Sequence, residues 1–284
     1  MNQTLSAAWP VVLSVAGFDP SAGAGIAADL KTFAAHNCYG VAAISALTVQ
    51  NSQGVAAVHP VDPQVLRESI RCLLADGKVR AIKIGMLSNL ATAEVVRELL
   101  ESTPGLPTVL DPVVTSSNGV QLLDGPGLDF LRRELIPRVS VLTPNLDEAA
   151  ALTDLAVDNL ESMKASARKL VEMGARAVVV TGGHLEKAID VLLDGTEMES
   201  FVGDRIRPDN THGTGCTFSS AVAANLALGR QLRDAVVLAK AYVAEAIRKA
   251  YPVGPGRLPL NHLYRLIQPA RVTDHSAAIS EPVH

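Results

Sequence analysis

The sequence has 284 residues, 48% of them hydrophobic, 19% charged and only 4% aromatic, enough chain to bury a sizeable core in one large α/β unit. Its 25 Lys and Arg against 29 Asp and Glu give a formal charge of -4, which leaves no basic excess for a nucleic-acid partner, and so few rings argue against base-stacking platforms. Gly and Pro, 21 and 16 residues, are too few for a fibrous or low-complexity chain.

The opening residues, MNQTLSAAWP, lack the basic stretch and long apolar run of a signal peptide. No apolar run reaches the roughly 18 residues that a membrane span needs. Cys38, Cys72 and Cys216 are odd in number, widely spaced and without a C-x-x-C pair. That pattern points to the reducing cytoplasm, with neither a disulfide framework nor a zinc site.

In chain order, residues 11–16 read as a short apolar strand, followed by a glycine-rich turn and a helix with Ile26, Leu30 and Phe33 on one face. Strands are expected at 41–49, 79–84, 108–110, 139–142 and 177–181. Helices are expected around Val65, Ile70 and Leu73, at 89–101 and at 158–173. A small-residue helix should run from Thr217 to about Leu228 and close on Gly229 at its C′ position. Most strands are apolar on consecutive positions, as in a parallel sheet covered on both faces. Strand–helix alternation along the whole length predicts a doubly wound α/β fold in one domain, 1–267, with 268–284 as a fraying tail.

Ligands of such sheets sit beyond the carboxyl ends of the strands. The residues there are Gly17-Phe18-Asp19-Pro20, Gln50-Asn51, Gly85-Met86, Asp111-Pro112, Thr143-Pro144-Asn145 and Gly182-Gly183-His184. Two glycine turns join them. Gly23-Ala24-Gly25-Ile26-Ala27-Ala28 matches G-x-G-x-x-A, but no Asp or Glu lies between Lys31 and Asp62 to hold a ribose, so a dinucleotide site is poorly supported. Close helix–strand packing is the alternative, and Asp29 aimed from the helix into the pocket is a third. The second turn, Asn210-Thr211-His212-Gly213-Thr214-Gly215-Cys216, opens the small-residue helix. Its unpaired N–H groups and the helix dipole suit an anion, and the Cys216 thiol is expected below its reference of about 8.5. An ordinary Gly cap with a small buried Cys is the plain alternative. A P-loop is excluded, because the Gly77-Lys78 pair is followed by Val79.

The ordered segments AGFDPSAGAGIAADLKT (16–32), LTVQNSQGV (47–55), KIGML (83–87), LDPVV (110–114), LTPNLDEA (142–149) and NTHGTGCTFSSA (210–221) resemble the hydroxymethylpyrimidine and phosphomethylpyrimidine kinases of the ribokinase-like superfamily. The resemblance spans about residues 11–255. It implies a central, mostly parallel sheet flanked by helices, a homodimer, ATP as co-substrate and Mg²⁺ as cofactor. It implies an anion hole at Gly213, Thr214 and Gly215 and a general base at Cys216. It further implies a pyrimidine pocket of Ala24, Asp29, Gln50, Met86 and Val113, with Asp29 accepting from the exocyclic amine. Glu148, with Asn145, would organise the magnesium. Asp111, Thr181, Gly183 and Lys240 would face ATP, Asp111 serving the metal, the phosphate end or only the turn. His184 and His212 are expected as supports hydrogen-bonded to backbone.

Three positions depart from the family pattern: Ala27, Thr181 and the loop 115–119, which lacks a basic residue. The second phosphorylation is the step these losses touch, with Lys240 as a possible substitute. The expected reaction is phosphorylation of hydroxymethylpyrimidine and then of its phosphate in thiamine biosynthesis. Pyridoxal kinase activity, alone or in addition, is the alternative.

Overall fold

The structure, a computed structural model, describes residues 9–116, 118–183, 185, 187–206 and 211–265. Elements follow in the order β1 (Val11–Phe18), α1 (Gly25–Ala35), β2 (Tyr39–Asn51), β3 (Gly54–Pro60), α2 (Pro63–Ala75), β4 (Val79–Ile84), α3 (Leu90–Ser102), β5 (Thr108–Leu110) and α4 (Gly125–Phe130). After them come β6 (Val141–Leu142), α5 (Leu146–Thr153), α6 (Leu160–Glu172), β7 (Ala177–Gly182), β8 (Ala188–Asp194), β9 (Glu197–Gly203), β10 (Thr211–His212), α7 (Thr214–Ala227), α8 (Leu232–Arg248) and β11 (Leu258–Pro259).

Nine strands form one sheet in the order β3-β2-β1-β4-β5-β6-β7-β8-β9. The six from β2 to β7 pair in parallel, whereas β3, β8 and β9 add antiparallel edges. The expected mostly parallel sheet, flanked by helices, is therefore present. Consecutive apolar residues on the inner strands serve two cores. Leu13, Ile82, Ile84, Leu110 and Val180 pack toward α2, α3, α5 and α6. Val12, Ala81, Val109 and Val179 pack toward α1, α7 and α8.

The antiparallel edges are the part that the apolar-run criterion passed over. β9, for example, reads EMESFVG, and mixed polar sequence of this kind produces no continuous run. Helix starts are marked by side chains. Asn89, Asn145 and Asn159 each accept an N–H of the first turn in reciprocal capping boxes. The small-residue helix begins three residues before the expected Thr217, at Thr214. It closes on Gly229 at φ 79°, with Gly229 N–H donating to Leu226 O and Arg230 N–H to Asn225 O, a Schellman motif. The segment expected to fray, 268–284, lies outside the described residues.

A buried ion pair crosses the middle of this architecture. Lys83 on β4 and Asp29 on α1 are both fully buried, with Nζ 3.0 Å from Oδ2. Ser14, the register partner of Lys83 on β1, donates to Oδ2 at 2.6 Å, and Ser220 on α7 donates to Oδ1 at 2.7 Å. A Cβ at Gly85 would lie 2.7 Å from the ammonium, so a bare residue after β4 leaves room for the lysine.

Lys83→Met leaves Asp29 charged and unpaired, and should cost about 3–5 kcal/mol in urea unfolding. The double replacement Lys83→Met with Asp29→Leu should recover most of that loss in the same measurement.

Candidate functional site

A cavity of about 450 Å³ opens beyond the carboxyl ends of the parallel strands. One end is walled by the tip of β2, Met86 and Val113; the other by Thr181, Gly183, the end of β9 and α8; the start of α7 lies between them.

Among the described residues no side chain caps the start of α7, so the N–H groups of its first turn are available to the cavity. Gly213 sits at φ 84°, and a Cβ there would fall 1.9 Å from Gly23 O. The two glycine turns therefore touch backbone to backbone. The first is no dinucleotide turn. Gly25, at φ 54°, packs so that a Cβ would meet Gly17 O at 2.2 Å, which is the close packing of helix start on strand considered from sequence. Its loop is stapled by Asp19, which accepts from Ser21 N at 2.8 Å, Gly23 N at 3.2 Å and Ala24 N at 2.9 Å.

Cys216 lies in the first turn of α7, half-buried. The charged groups acting on its thiol are Lys83, Asp111 and Asp29, and a Cβ on the neighbouring Gly215 would lie 3.8 Å from both Asp111 carboxylate oxygens. The expectation of an acidic thiol is corrected. Burial pushes it up to about 12; the Lys83 ammonium opposes this, while Asp111 and Asp29 add to it. The helix dipole, worth up to about 2 kcal/mol in favourable geometry, is outweighed. Asp111 is itself buried, accepts from Ser219 Oγ at 3.2 Å, and is held above the ordinary carboxylate value by burial, with Lys83 opposing and Asp29 adding.

Glu148 is a buried partner in the capping box, not a surface residue. Its Oε2 accepts the Asn145 N–H at 2.9 Å, and Asn145 Oδ1 accepts the Glu148 N–H at 2.9 Å. Burial first, then the Asp111 charge, raises its carboxyl well above the usual range. One carboxylate oxygen stays outside this box. Among the described residues no cluster of three or more His, Cys, Asp and Glu side chains is placed to hold a metal, and no helix is long and apolar enough to cross a membrane.

At the other end, Ala24, Gln50, Met86 and Val113 line the cavity as expected. Asp29 does not. Both its oxygens are taken by Ser14, Lys83 and Ser220 beneath the loop, so it has no oxygen to offer an exocyclic amine. His212 is also corrected, because its partners are side chains. Its Nε2 lies 3.0 Å from Asp19 Oδ2 and 2.8 Å from the Gln50 amide. Asp19 is held below the usual carboxylate range by its His212 and Ser21 contacts, despite burial. His212 Nε2 thus sits between the Asp19 carboxylate and the Gln50 amide nitrogen, and Gln50 Oε1 accepts from Thr48 Oγ1 at 3.2 Å.

Asp111, Asn145, Thr181, Gly183 and Lys240 line the cavity too. Lys240 points inward but is occupied, with Nζ 2.6 Å from Asp190 Oδ2 and 3.1 Å from Ala188 O. His184 and Ser117 lie outside the described residues. Sequence reasoning placed Asp19 at a strand end without a role, and missed Lys83 and Asp190. Lys83 had a signal, a lone charge inside the apolar strand AIKI; Asp19 had the turn-forming D-P-S. Asp190 had none.

A family model described as phosphomethylpyrimidine kinase matches residues 19–261. The hydroxymethylpyrimidine/phosphomethylpyrimidine kinase of Aquifex aeolicus is 42% identical over 248 residues, covering 87% of this chain and 97% of its own. The bifunctional thiamine biosynthesis protein ThiED of Geobacter sulfurreducens is 41% identical over 89% of this chain, which spans about half (52%) of that longer protein. Among solved structures, the Bacillus subtilis pyridoxal kinase in its ADP complex superposes with TM-score 0.82 at 35% identity, covering 90% of this chain and 98% of its own. The Clostridium difficile phosphomethylpyrimidine kinase gives 0.75 at 36%, covering 84% and 98%.

Two pH-dependent outcomes follow from the raised groups. In a Cys72→Ala background, which removes the exposed thiol, alkylation of Cys216 by iodoacetamide should still be climbing about tenfold per pH unit at pH 9. A plateau near pH 8 would contradict the burial argument. Glu148→Gln keeps a capping-box side chain and removes a buried acid whose folded-state value lies above its unfolded one. Such an acid costs stability above its folded value and nothing below its unfolded one. The variant should therefore melt higher than the native chain at pH 8, and the difference should vanish toward pH 4.

Proposed function

The chain belongs to the phosphomethylpyrimidine kinase family, and on that premise we propose that it moves the γ-phosphoryl of ATP onto the hydroxymethyl oxygen of 4-amino-5-hydroxymethyl-2-methylpyrimidine, and then onto the resulting monophosphate. The observation that carries this reading is one cavity holding both an uncapped helix start with Cys216 and, across it, the Gln50–Met86 wall. A small ring fits between Met86 and Val113, with the Gln50 amide toward its amino-pyrimidine edge. That leaves the hydroxymethyl group facing Cys216.

A thiol that is protonated at neutral pH accepts a proton only by giving up its own. The Asp111 carboxylate, whose charge acts on the Cys216 thiol, supplies the route: the substrate O–H proton passes to sulfur and the thiol proton to the Asp111 carboxylate. The freed oxygen bonds to the γ-phosphorus, the bond to the β–γ bridging oxygen breaks, and ADP leaves. The N–H groups at Gly213, Thr214 and Gly215 stabilise charge on the transferring group, where phosphotransferases gain most of their rate.

The donor set at Glu148 fits Mg²⁺. It is a hard oxygen ligand, buried against a second carboxylate and with one oxygen outside its cap, and magnesium takes few protein ligands. Mg²⁺, when bound, offsets charge on the β- and γ-phosphates. Asn145 fixes the Glu148 rotamer through the reciprocal cap. Thr181, Gly183 and Lys240 are read as the nucleotide side. Leu47 and Val49 are 47% and 54% exposed on β2, a face that a second copy of the chain would cover in the homodimer we infer. The three unpaired cysteines suit the cytoplasm.

Pyridoxal kinase is the second reading, favoured by the close superposition on the Bacillus subtilis enzyme. ADP release with hydroxymethylpyrimidine, its monophosphate and pyridoxal separates the two; turnover of pyridoxal alone overturns the first. Cys216→Ala should lower kcat on hydroxymethylpyrimidine about 10²-fold or more, and undiminished turnover would remove Cys216 from the proton path. Lys240→Ala should raise KM for ATP several-fold with kcat for the first step little changed.

A further inference from the structure

Among the described residues four cationic side chains line the cavity: Arg205, Lys240, Arg248 and Arg257. Three stand at the nucleotide side. Arg205 follows β9, and Lys240 and Arg248 are on α8, where Asp190 holds the first and Glu245 the second.

Arg257 is placed differently. Its N–H donates to Ser52 O at 2.7 Å, and the preceding Gly256 N–H donates to Ser52 Oγ at 3.2 Å. Ser52 lies in the turn between β2 and β3, two residues after Gln50. The contact is close enough that a Cβ at Gly256 would fall 2.1 Å from Ser52 O, so the backbone here has one seat. The next residues, Leu258 and Pro259, pair with Thr211 and His212, the strand that leads directly into Gly213. Arg257 thus lines the cavity from a backbone pinned to the ring end on one side and to the start of α7 on the other. The group that joins a ring at Gln50 to an oxygen at Cys216 passes between those two anchors.

We propose that Arg257 binds the phosphate that the substrate itself carries in the second phosphorylation, and so determines whether the monophosphate is accepted. This rests on the kinase reading above. A monophosphate brings close to two negative charges at neutral pH into a cavity already lined by Asp19, Asp111 and Glu148. The loop 115–119 contributes no basic residue, and the N–H groups of α7 are committed to the transferring phosphoryl. A guanidinium offers two parallel donors to such an anion. The chemistry of the step agrees. An ionised phosphate oxygen attacks the γ-phosphorus, the bond to the β–γ bridging oxygen breaks and ADP leaves. No proton has to be removed from the nucleophile, so charge neutralisation is what the protein must supply.

The test is ADP release with hydroxymethylpyrimidine and with its monophosphate, assayed separately for the native chain, Arg257→Gln and Arg257→Lys. The backbone performs the pinning, so both variants should keep the native melting temperature within a few degrees. In Arg257→Gln the ratio of second-step to first-step kcat/KM should fall at least 30-fold, chiefly through KM for the monophosphate, and Arg257→Lys should recover part of it. A ratio within threefold of native, or equal loss of both steps, overturns the proposal. So does a native chain that uses hydroxymethylpyrimidine but not its monophosphate. A native chain that uses neither pyrimidine defeats the kinase reading instead, which is a different result.

Discussion

The buried Lys83–Asp29 pair is the constraint on which the rest of the site depends. It joins β4 to α1 at 3.0 Å, and Ser14 and Ser220 extend it to β1 and α7. These are the elements whose ends carry the two glycine turns. Gly213 and Gly23 can touch backbone to backbone only if α1 and α7 are held at one fixed spacing, and a fully buried ion pair tolerates little drift because separation leaves charge without solvent. The same ammonium is the nearest counter-charge to Asp111 and Cys216. Position and electrostatics at the start of α7 therefore share one source.

Above that pair the cavity floor is acidic. Asp19, Asp111 and Glu148 all line it, and the net charge of the chain is -4. Long-range attraction thus contributes little. What remains is local: the oriented N–H groups at the start of α7, whose partial charges need no solvent reorganisation. Two buried carboxylates whose values are both raised form a floor that costs free energy while ionised and is relieved by a cation or a proton.

Much of this was legible in the sequence, and the exceptions share a cause. The inner strands, most of the helices and the residues beyond the strand ends follow from apolar runs, helical faces and glycines, which are local signals. The resemblance reads the Asn145–Glu148 pair as organising magnesium, and the structure shows it also to be a capping box. Asp29 and His212 show where local reading fails. Each carries a functional-looking side chain near a glycine turn, yet its partners lie 15, 54 and 191 residues away for Asp29 and 162 and 193 for His212. No spacing rule reaches across such separations.

The Cys216 thiol makes the same point in energetic terms. A helix start alone lowers a thiol value, and that much is visible from N-T-H-G-T-G-C. Burial and two carboxylates act in the opposite direction and are contributed by β1, β4, β5 and α1, which converge only in the folded chain. At this sulfur burial, Asp111 and Asp29 together outweigh the Lys83 ammonium and the helix start, so the acidity of a thiol at a helix start is decided by the elements that close over it and not by the start alone.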